Sequence, residues 1–431
     1  LFWDLLFLAA AGVYPRERWL KMVWQLEGLG KNFMSDSTKR ICIVGGGFGG
    51  LYTALRLSQF PWKIPQDVEI TLIDREDRFV FLPLLYELMT GELQSWEIAP
   101  PYIELLAQTG VRFHQGNVSR INVQQQQVQL EAGEVFDYDR LVLALGGETP
   151  LDVVPGAADY AYPFRSIGDA YQLEEKLRSL EASDKDMIRV VVVGGGYSGV
   201  ELACKLSDRL GERGRLRLVD RNEQILRSST DFNRKAALQA LQQREVWIDT
   251  ETSVVSVSDD TISLDYRGKV DEIPADLVLW TVGTQVAAAV RSLPGQHNDR
   301  GQLYTNVYLQ VQEHPEIFAL GDAAECKDAN GERVPATAQA AFQQADYAGW
   351  NVWASLSDRP LLPFRYQHLG EMMTLGVDNA TLTGLGWQLD GPAAHIFRRL
   401  IYLYRLPNPD HQIRVGLNWV AQPLRELIFG S

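Results

Sequence analysis

Residues 43–54 read IVGGGFGGLYTA and residues 192–203 read VVGGGYSGVELA, so the chain writes one device twice. Each copy is an apolar run, a G-x-G-x-x-G turn and the opening of a helix. Each glycine answers a separate steric demand. Gly45 permits the tight turn out of the strand, Gly47 lets the backbone approach a pyrophosphate, and Gly50 lets the helix lie close to the strand. Gly194, Gly196 and Gly199 repeat those roles. A helix starting at such a turn aims unpaired N–H groups and the positive end of its dipole at phosphates. The pattern also requires an acid at the end of the next strand to bond a ribose hydroxyl. TLIDRED supplies Asp74 and RLVDRNE supplies Asp220. The second copy adds a carboxylate, Glu201, one turn into its helix.

Two complete units in 431 residues imply an α/β chain of two Rossmann-like domains. The other apolar runs agree: 41–44, 68–73, 141–145, 190–193, 216–220, 277–282 and 317–320 read as buried strands of parallel sheets covered on both faces. VQQQQVQL (123–130) reads as one strand of a hairpin, followed by the turn EAGE, and SQFPWKIPQD (58–67) lengthens the connection after the first helix. A net charge of −14 excludes a nucleic-acid partner, which needs a concentrated basic surface. The three cysteines, Cys42, Cys204 and Cys326, form no C-x-x-C or C-x4-C pair, and the six histidines show no ligand spacing, so neither disulfide framework nor metal site is expected. No run of 18 apolar residues exists to span a membrane. LFWDLLFLAAAGVY opens the chain with no basic region before it, and MSDSTKRICIVGGG makes Met34 a natural start. Residues 1–33 are therefore expected to be an upstream extension, the alternative being an extra interfacial helix.

Two dinucleotide sites in one chain suggest a flavin in one and a nicotinamide coenzyme in the other, which brings a hydride donor against a flavin ring. PEIFALGDAAE (315–325) resembles the flavin-closing motif of two-dinucleotide-fold flavoproteins, with Gly321 and Asp322 as its Gly-Asp pair. An Asp between strand and helix could bond the ribityl chain, or simply cap the helix. LVLALGGETP (141–150) and LVLWTVG (277–283) resemble the two crossings between domains. The lack of a cysteine pair argues against disulfide reductases and sulfide:quinone reductases. PATAQAAFQQADYAG (335–349) is similar to the A-Q-x-A-x-Q quinone motif of the type II NAD(P)H:quinone oxidoreductases, and Gln339 and Gln343 share one helical face. FVFLPLLYELMTGELQSWEIAPP (79–101) matches the segment that lies along the flavin in that family. Its second half looks most like the cyanobacterial and plastid branch associated with demethylphylloquinone reduction.

That resemblance implies a non-pumping FAD enzyme passing a hydride from NAD(P)H to flavin and two electrons to a quinone. Alternatives are a respiratory NADH dehydrogenase using plastoquinone or ubiquinone, and a redox-sensing flavoprotein. Gly45, Gly47, Gly50, Asp74, Gly321 and Asp322 would hold FAD, while Gly194, Gly196, Gly199 and Asp220 would hold the coenzyme. Glu201, Gln339 and Gln343 would border the transfer, Glu201 by positioning the coenzyme or delivering a proton, rather than by steadying a helix dipole. Asp220 would repel a 2′-phosphate, yet Arg221 beside it could accept one. The expected domains are 1–38, an N-terminal extension; 39–160 with 300–355, for FAD; 161–299, for NAD(P)H; and 356–431, a membrane-anchoring region. Residues 395–406, HIFRRLIYLYRL, are amphipathic: Ile396, Phe397, Leu400, Ile401, Leu403 and Tyr404 fill one arc, His395, Arg398, Arg399, Tyr402 and Arg405 the other. They read as an interfacial helix, the alternative being a core-packing one. GLNWVAQPLRELIF (416–429) could add a second contact. A peripheral protein on the cytoplasmic face, of a thylakoid or plasma membrane if cyanobacterial, and a homodimer complete what the resemblance implies.

Overall fold

The computed structural model describes residues 38–62 and 68–429. The expectations for the N-terminal segment, and part of that for 58–67, lie outside them. Two sheets carry the two repeated units. The first runs in spatial order Gln310–Val311, His314–Ala319, Arg140–Leu143, Lys39–Val44, Val68–Asp74, Arg112–Gln115. Every pairing in it is parallel except that of the short Gln310–Val311 edge. The second runs Trp247–Asp249, Gly214–Val219, Ile188–Val193, Leu277–Trp280, Ala161–Pro163, all parallel. In both, the strand leading into the Gly-rich turn is central, so its Val- and Ile-rich side chains are buried on both faces.

Each turn opens a helix: α1, Phe48–Leu57, in the first unit and α2, Tyr197–Leu210, in the second. The chain crosses between units twice, and the crossings pair as antiparallel strands, Gly147–Glu148 with Gln285–Val286. The return lies earlier than the expected boundary at 300. Val286, Ala289, Val290 and Leu293 pack with Val118, Tyr138, Leu141 and Leu303 in the core of the first unit. The Gln-rich stretch also departs from expectation. Gln124–Gln126 form a turn, with Gln126 at φ 53°, and only Gln127–Leu130 is a strand, the middle one of three.

Beyond α3, Ala338–Leu356, the chain forms a three-stranded antiparallel sheet over residues 371–390, then α4, Gly391–Arg405, and α5, Pro409–Phe429. Helix α4 lies the other way round from an ordinary surface helix. Its polar arc faces the body, with His395 and Arg398 buried, while Ile396, Phe397, Leu400 and Tyr404 are exposed. Tyr402 and Leu403 also pack against the core. Arg398 ion-pairs with Glu87 of the 3-10 segment Leu82–Leu88, both side chains fully buried, and donates to the Pro83 carbonyl at 2.5 Å. Residues at matching positions of the two Gly-rich helices also reach α4. Tyr52, seven after Gly45, donates to the Arg405 carbonyl at 2.5 Å, and Glu201, seven after Gly194, lies 3.7 Å from Arg398. Helix α5 is held by Glu97, whose Oε1 accepts from Trp419 Nε1 at 2.8 Å and Asn418 Nδ2 at 3.1 Å.

Removing one partner of a buried ion pair strands the other charge in a medium that solvates it poorly. Arg398→Met is therefore expected to lose about 3–5 kcal/mol in urea unfolding at pH 7. Burial by itself would raise the Glu87 carboxyl, but Arg398 and then Lys205 bring it below the usual range. That stability is present above the unfolded value and lost as pH falls through the folded one. The gap between wild type and variant should accordingly narrow toward pH 4, and Glu87→Gln added to Arg398→Met should recover part of the loss.

Candidate active site

The two Gly-rich turns share one geometry, closed by different neighbours. A Cβ on Gly50 would stand 1.7 Å from the Gly45 carbonyl oxygen, and one on Gly199 would stand 1.8 Å from that of Gly194. Gly45 and Gly194, at φ 94° and 116°, are closed off by the backbone of Ala144 and by the Thr281 hydroxyl. A Cβ on Gly47 or Gly196 would instead meet nothing within 4 Å. The middle glycine of each turn thus faces open space at a helix N-terminus, the shape a pyrophosphate needs. The acids also brace these loops. Asp74 accepts from the Gly46 N–H at 2.5 Å and the Glu76 N–H at 2.8 Å. Asp220 accepts from the Gly195 N–H at 2.6 Å and from the Asn222 N–H and Nδ2, each at 2.7 Å. Holding the loop shut presents the rest of each carboxylate at the strand end, where a ribose would lie.

Gly321 and Asp322 sit where the chain crosses between units. Gly321 takes φ 59°, and Gly321–Ala323 is a single 3-10 turn. The expected helix does not begin there: α3 starts at Ala338 and is capped by Thr337, so Asp322 is no N-cap. Its Oδ2 accepts from Arg165 Nη2 at 3.1 Å, and Arg165 Nη1 donates to Thr284 at 3.1 Å. Arg165 ties the two units together at the motif acid, and nothing in its local sequence marks it. The Gly321 N–H donates to Gln344 Oε1 at 2.8 Å, which makes buried Gln344 the glutamine that steadies the Gly-Asp turn.

Gln339 and Gln343 do share a face of α3, and both amides grip the segment 366–370. Gln339 Oε1 accepts from the Tyr366 hydroxyl at 2.9 Å and the Leu369 N–H at 3.1 Å, and its Nε2 donates to the Gly370 carbonyl at 3.2 Å. Gln343 exchanges two bonds with the backbone of Gln367, at 2.8 and 3.0 Å. Their visible work is to fix the strand that follows, Glu371–Thr374.

That strand carries Thr374, whose N–H donates to Glu201 Oε1 at 2.9 Å. Glu201 is 6% exposed, enclosed by α2, the Leu82–Leu88 segment, this strand and α4. Burial pushes its carboxyl up to about 8, opposed chiefly by Arg398 and the Thr374 N–H. Tyr86 donates to Ser198 Oγ of α2 at 2.9 Å and completes the wall. Glu87 and Arg398 were missed as members of this site. An acid inside the apolar run FVFLPLLYELM was the available signal for Glu87. The three thiols are free and buried, and burial raises each of them, so none is set up as a nucleophile.

Comparison with known proteins fits this geometry. The family model for pyridine nucleotide-disulphide oxidoreductases matches residues 39–345. Demethylphylloquinone reductase NdbB of Synechocystis sp. is 55% identical over 91% of this chain and 98% of its own length. Alternative NAD(P)H-ubiquinone oxidoreductase C1 of Arabidopsis thaliana is 45% identical over 89% of this chain and 80% of its own. Among solved structures, NDH2 of Plasmodium falciparum in complex with NADH superposes with a TM-score of 0.79 at 17% identity, covering 91% of this chain and 99% of that one, a likeness of fold. The chain belongs to the pyridine nucleotide-disulphide oxidoreductase family, within its type II NAD(P)H:quinone oxidoreductases, whose cofactors are FAD and NAD(P)H.

Proposed function

We propose that the protein oxidises NAD(P)H and reduces a demethylnaphthoquinone such as demethylphylloquinone at a membrane surface. The observation that carries this reading is Glu201, a buried carboxyl that burial pushes up to about 8, at the meeting of the coenzyme-loop helix, the Leu82–Leu88 segment and α4. Gly45, Gly47, Gly50 and Asp74 hold the FAD pyrophosphate and ribose, with Gly321 and Asp322 closing over the ribityl chain. Gly194, Gly196, Gly199 and Asp220 hold the coenzyme in the same manner. Bound FAD supplies two-electron chemistry, taking a hydride from the nicotinamide and returning the electron pair to the quinone. Glu201 holds a proton beside that exchange for a quinone oxygen. Gln339 and Gln343 set the strand that positions Glu201.

The apolar side chains of α4 and α5 supply the membrane contact. Phe397 is 46% exposed and Leu417 66%, with Ile396, Leu400, Ile413 and Val420 also exposed. No helix among the described residues is long and apolar enough to cross a membrane, so this face would lie on the lipid, with the enzyme peripheral on the cytoplasmic side.

Anaerobic addition of NADPH or NADH to the flavin-loaded protein should bleach the flavin, and a naphthoquinone should restore its colour. Bleaching that no quinone reverses would remove the acceptor assignment. Gly196→Val fills the open side of the second turn, and should leave the protein yellow while slowing bleaching at least tenfold. The Glu201 proton is present below about pH 8 and lost above it, so quinone-dependent recovery should decline as pH rises through that value. Glu201→Gln should lower recovery about 100-fold and abolish that inflection; an unaltered profile would refute the assignment. Because Arg398 clamps α4 to the site, truncation would confound anchoring with folding. Phe397→Asp with Leu400→Asp spares the clamp, and should cut vesicle binding about 100-fold at roughly 1.5 kcal/mol per side chain.

A further inference from the structure

Hydride transfer from NAD(P)H to a quinone consumes one proton from water for each hydroquinone formed. Glu201 can give that proton but, at 6% exposure, cannot take a replacement directly from solvent. A line of titratable groups runs from it to the surface. Lys205, one turn along α2 on the same face, is wholly buried and ion-paired with Glu92. Glu92, His395 and Asp378 each offer an atom within 4.8 Å of the other two. His395 Nε2 is 3.7 Å from Asp378 Oδ1; His395 is 5% exposed, whereas the Asp378 side chain is 81% exposed. His395 Nδ1 and Glu92 Oε1 are buried and make no direct hydrogen bond to protein, and Glu92 Oε1 lies 3.7 Å from Arg399 Nη2.

Resting on the quinone-reductase reading above, we propose that Asp378, His395, Glu92 and Lys205 form a proton-uptake route from water to Glu201. Glu201 gives its carboxyl proton to a quinone oxygen. The Lys205 ammonium reprotonates Glu201; Asp378 takes a proton from water and passes it to His395, His395 hands it to the Glu92 carboxylate, and Glu92 passes it on to the Lys205 amine. Each group ends as it began, one water-derived proton is on the hydroquinone, and the hydride supplies the other hydrogen and both electrons. The gaps of 3.7–4.8 Å among Asp378, His395 and Glu92 are bridged by a side-chain rotation or one water, and Lys205 meets Glu201 along the shared face of α2. Arg398, Glu87, Lys205, Tyr86 and Tyr402 face Glu201, and Arg399, Glu92, Lys205 and Asp378 face His395. Lys205 and Arg399 also argue against reading the three ligand-type groups as a cation site, since they already balance Glu92. The route opens on the arc of α4 turned away from its exposed apolar side chains. Protons then arrive from the water side and quinone from the lipid side.

The test is stopped-flow flavin absorbance on flavin-loaded, full-length His395→Ala, with NADPH and then a soluble naphthoquinone. Recovery should slow at least tenfold while bleaching slows far less, and added imidazole should restore the lost rate. Asp378→Asn, an exposed substitution that cannot unsettle the core, should slow recovery in dilute buffer and be relieved by concentrated buffer. Recovery at the wild-type rate in both variants would overturn the route, as would a loss in His395→Ala that imidazole leaves untouched. Failure of the quinone reading shows separately, as wild-type flavin that bleaches and never recovers, and the route falls with it.

Discussion

The Arg398 guanidinium is a fully buried charge, and its contacts hold the site together. It reaches Glu87 and the Pro83 carbonyl on the Leu82–Leu88 segment and comes within 3.7 Å of Glu201 on the coenzyme side. A buried ion pair of this kind adds little net stability over well-packed apolar residues, yet losing one partner is costly. Its structural effect is therefore one of specificity. Helix α4 has a single orientation in which Arg398 is paired, and that orientation turns the apolar arc outward.

This constraint joins three parts that could otherwise be separate. The two Gly-rich helices each send one side chain to α4 from the same position of the repeat, a tyrosine hydroxyl from the first copy and a carboxylate from the second. The C-terminal helices thereby wall in Glu201 on one arc and leave an apolar arc exposed on the other. Glu97, gripping α5 from the segment that follows Leu82–Leu88, repeats the arrangement one helix further on. A change on the exposed arc of α4 would thus be felt at Glu201 through rigid polar contacts.

Much of the fold was legible because its signals are local. Gly45, Gly50, Gly194 and Gly199 answer clashes with neighbouring backbone or side chains, and the apolar runs around them can only be buried parallel strands. The return crossing was misplaced because residues 286–299 have no pattern that ties them to one sheet. Asp322 was expected before a helix because its turn resembles a helix start, whereas α3 begins only after Thr337. Arg165, 157 residues from Asp322, carries no motif, and Gln344 sits beside motif Gln343 with nothing in the pattern to set it apart.

The amphipathic pattern of 395–406 established that α4 has two faces, and periodicity alone could not say which one meets the protein. Burial of Arg398 depends on Glu87, 311 residues earlier in the chain, so the answer is a long-range pairing energy with no local signature. The same holds for Glu201. Its place after the second glycine turn was written in the sequence. Its upward shift comes from the walls that α4, Leu82–Leu88 and Glu371–Thr374 build around it. Residue types and spacings determined two nucleotide cradles joined in one chain. Only tertiary structure decided what lies between them, because desolvation and charge pairing depend on which distant segments meet.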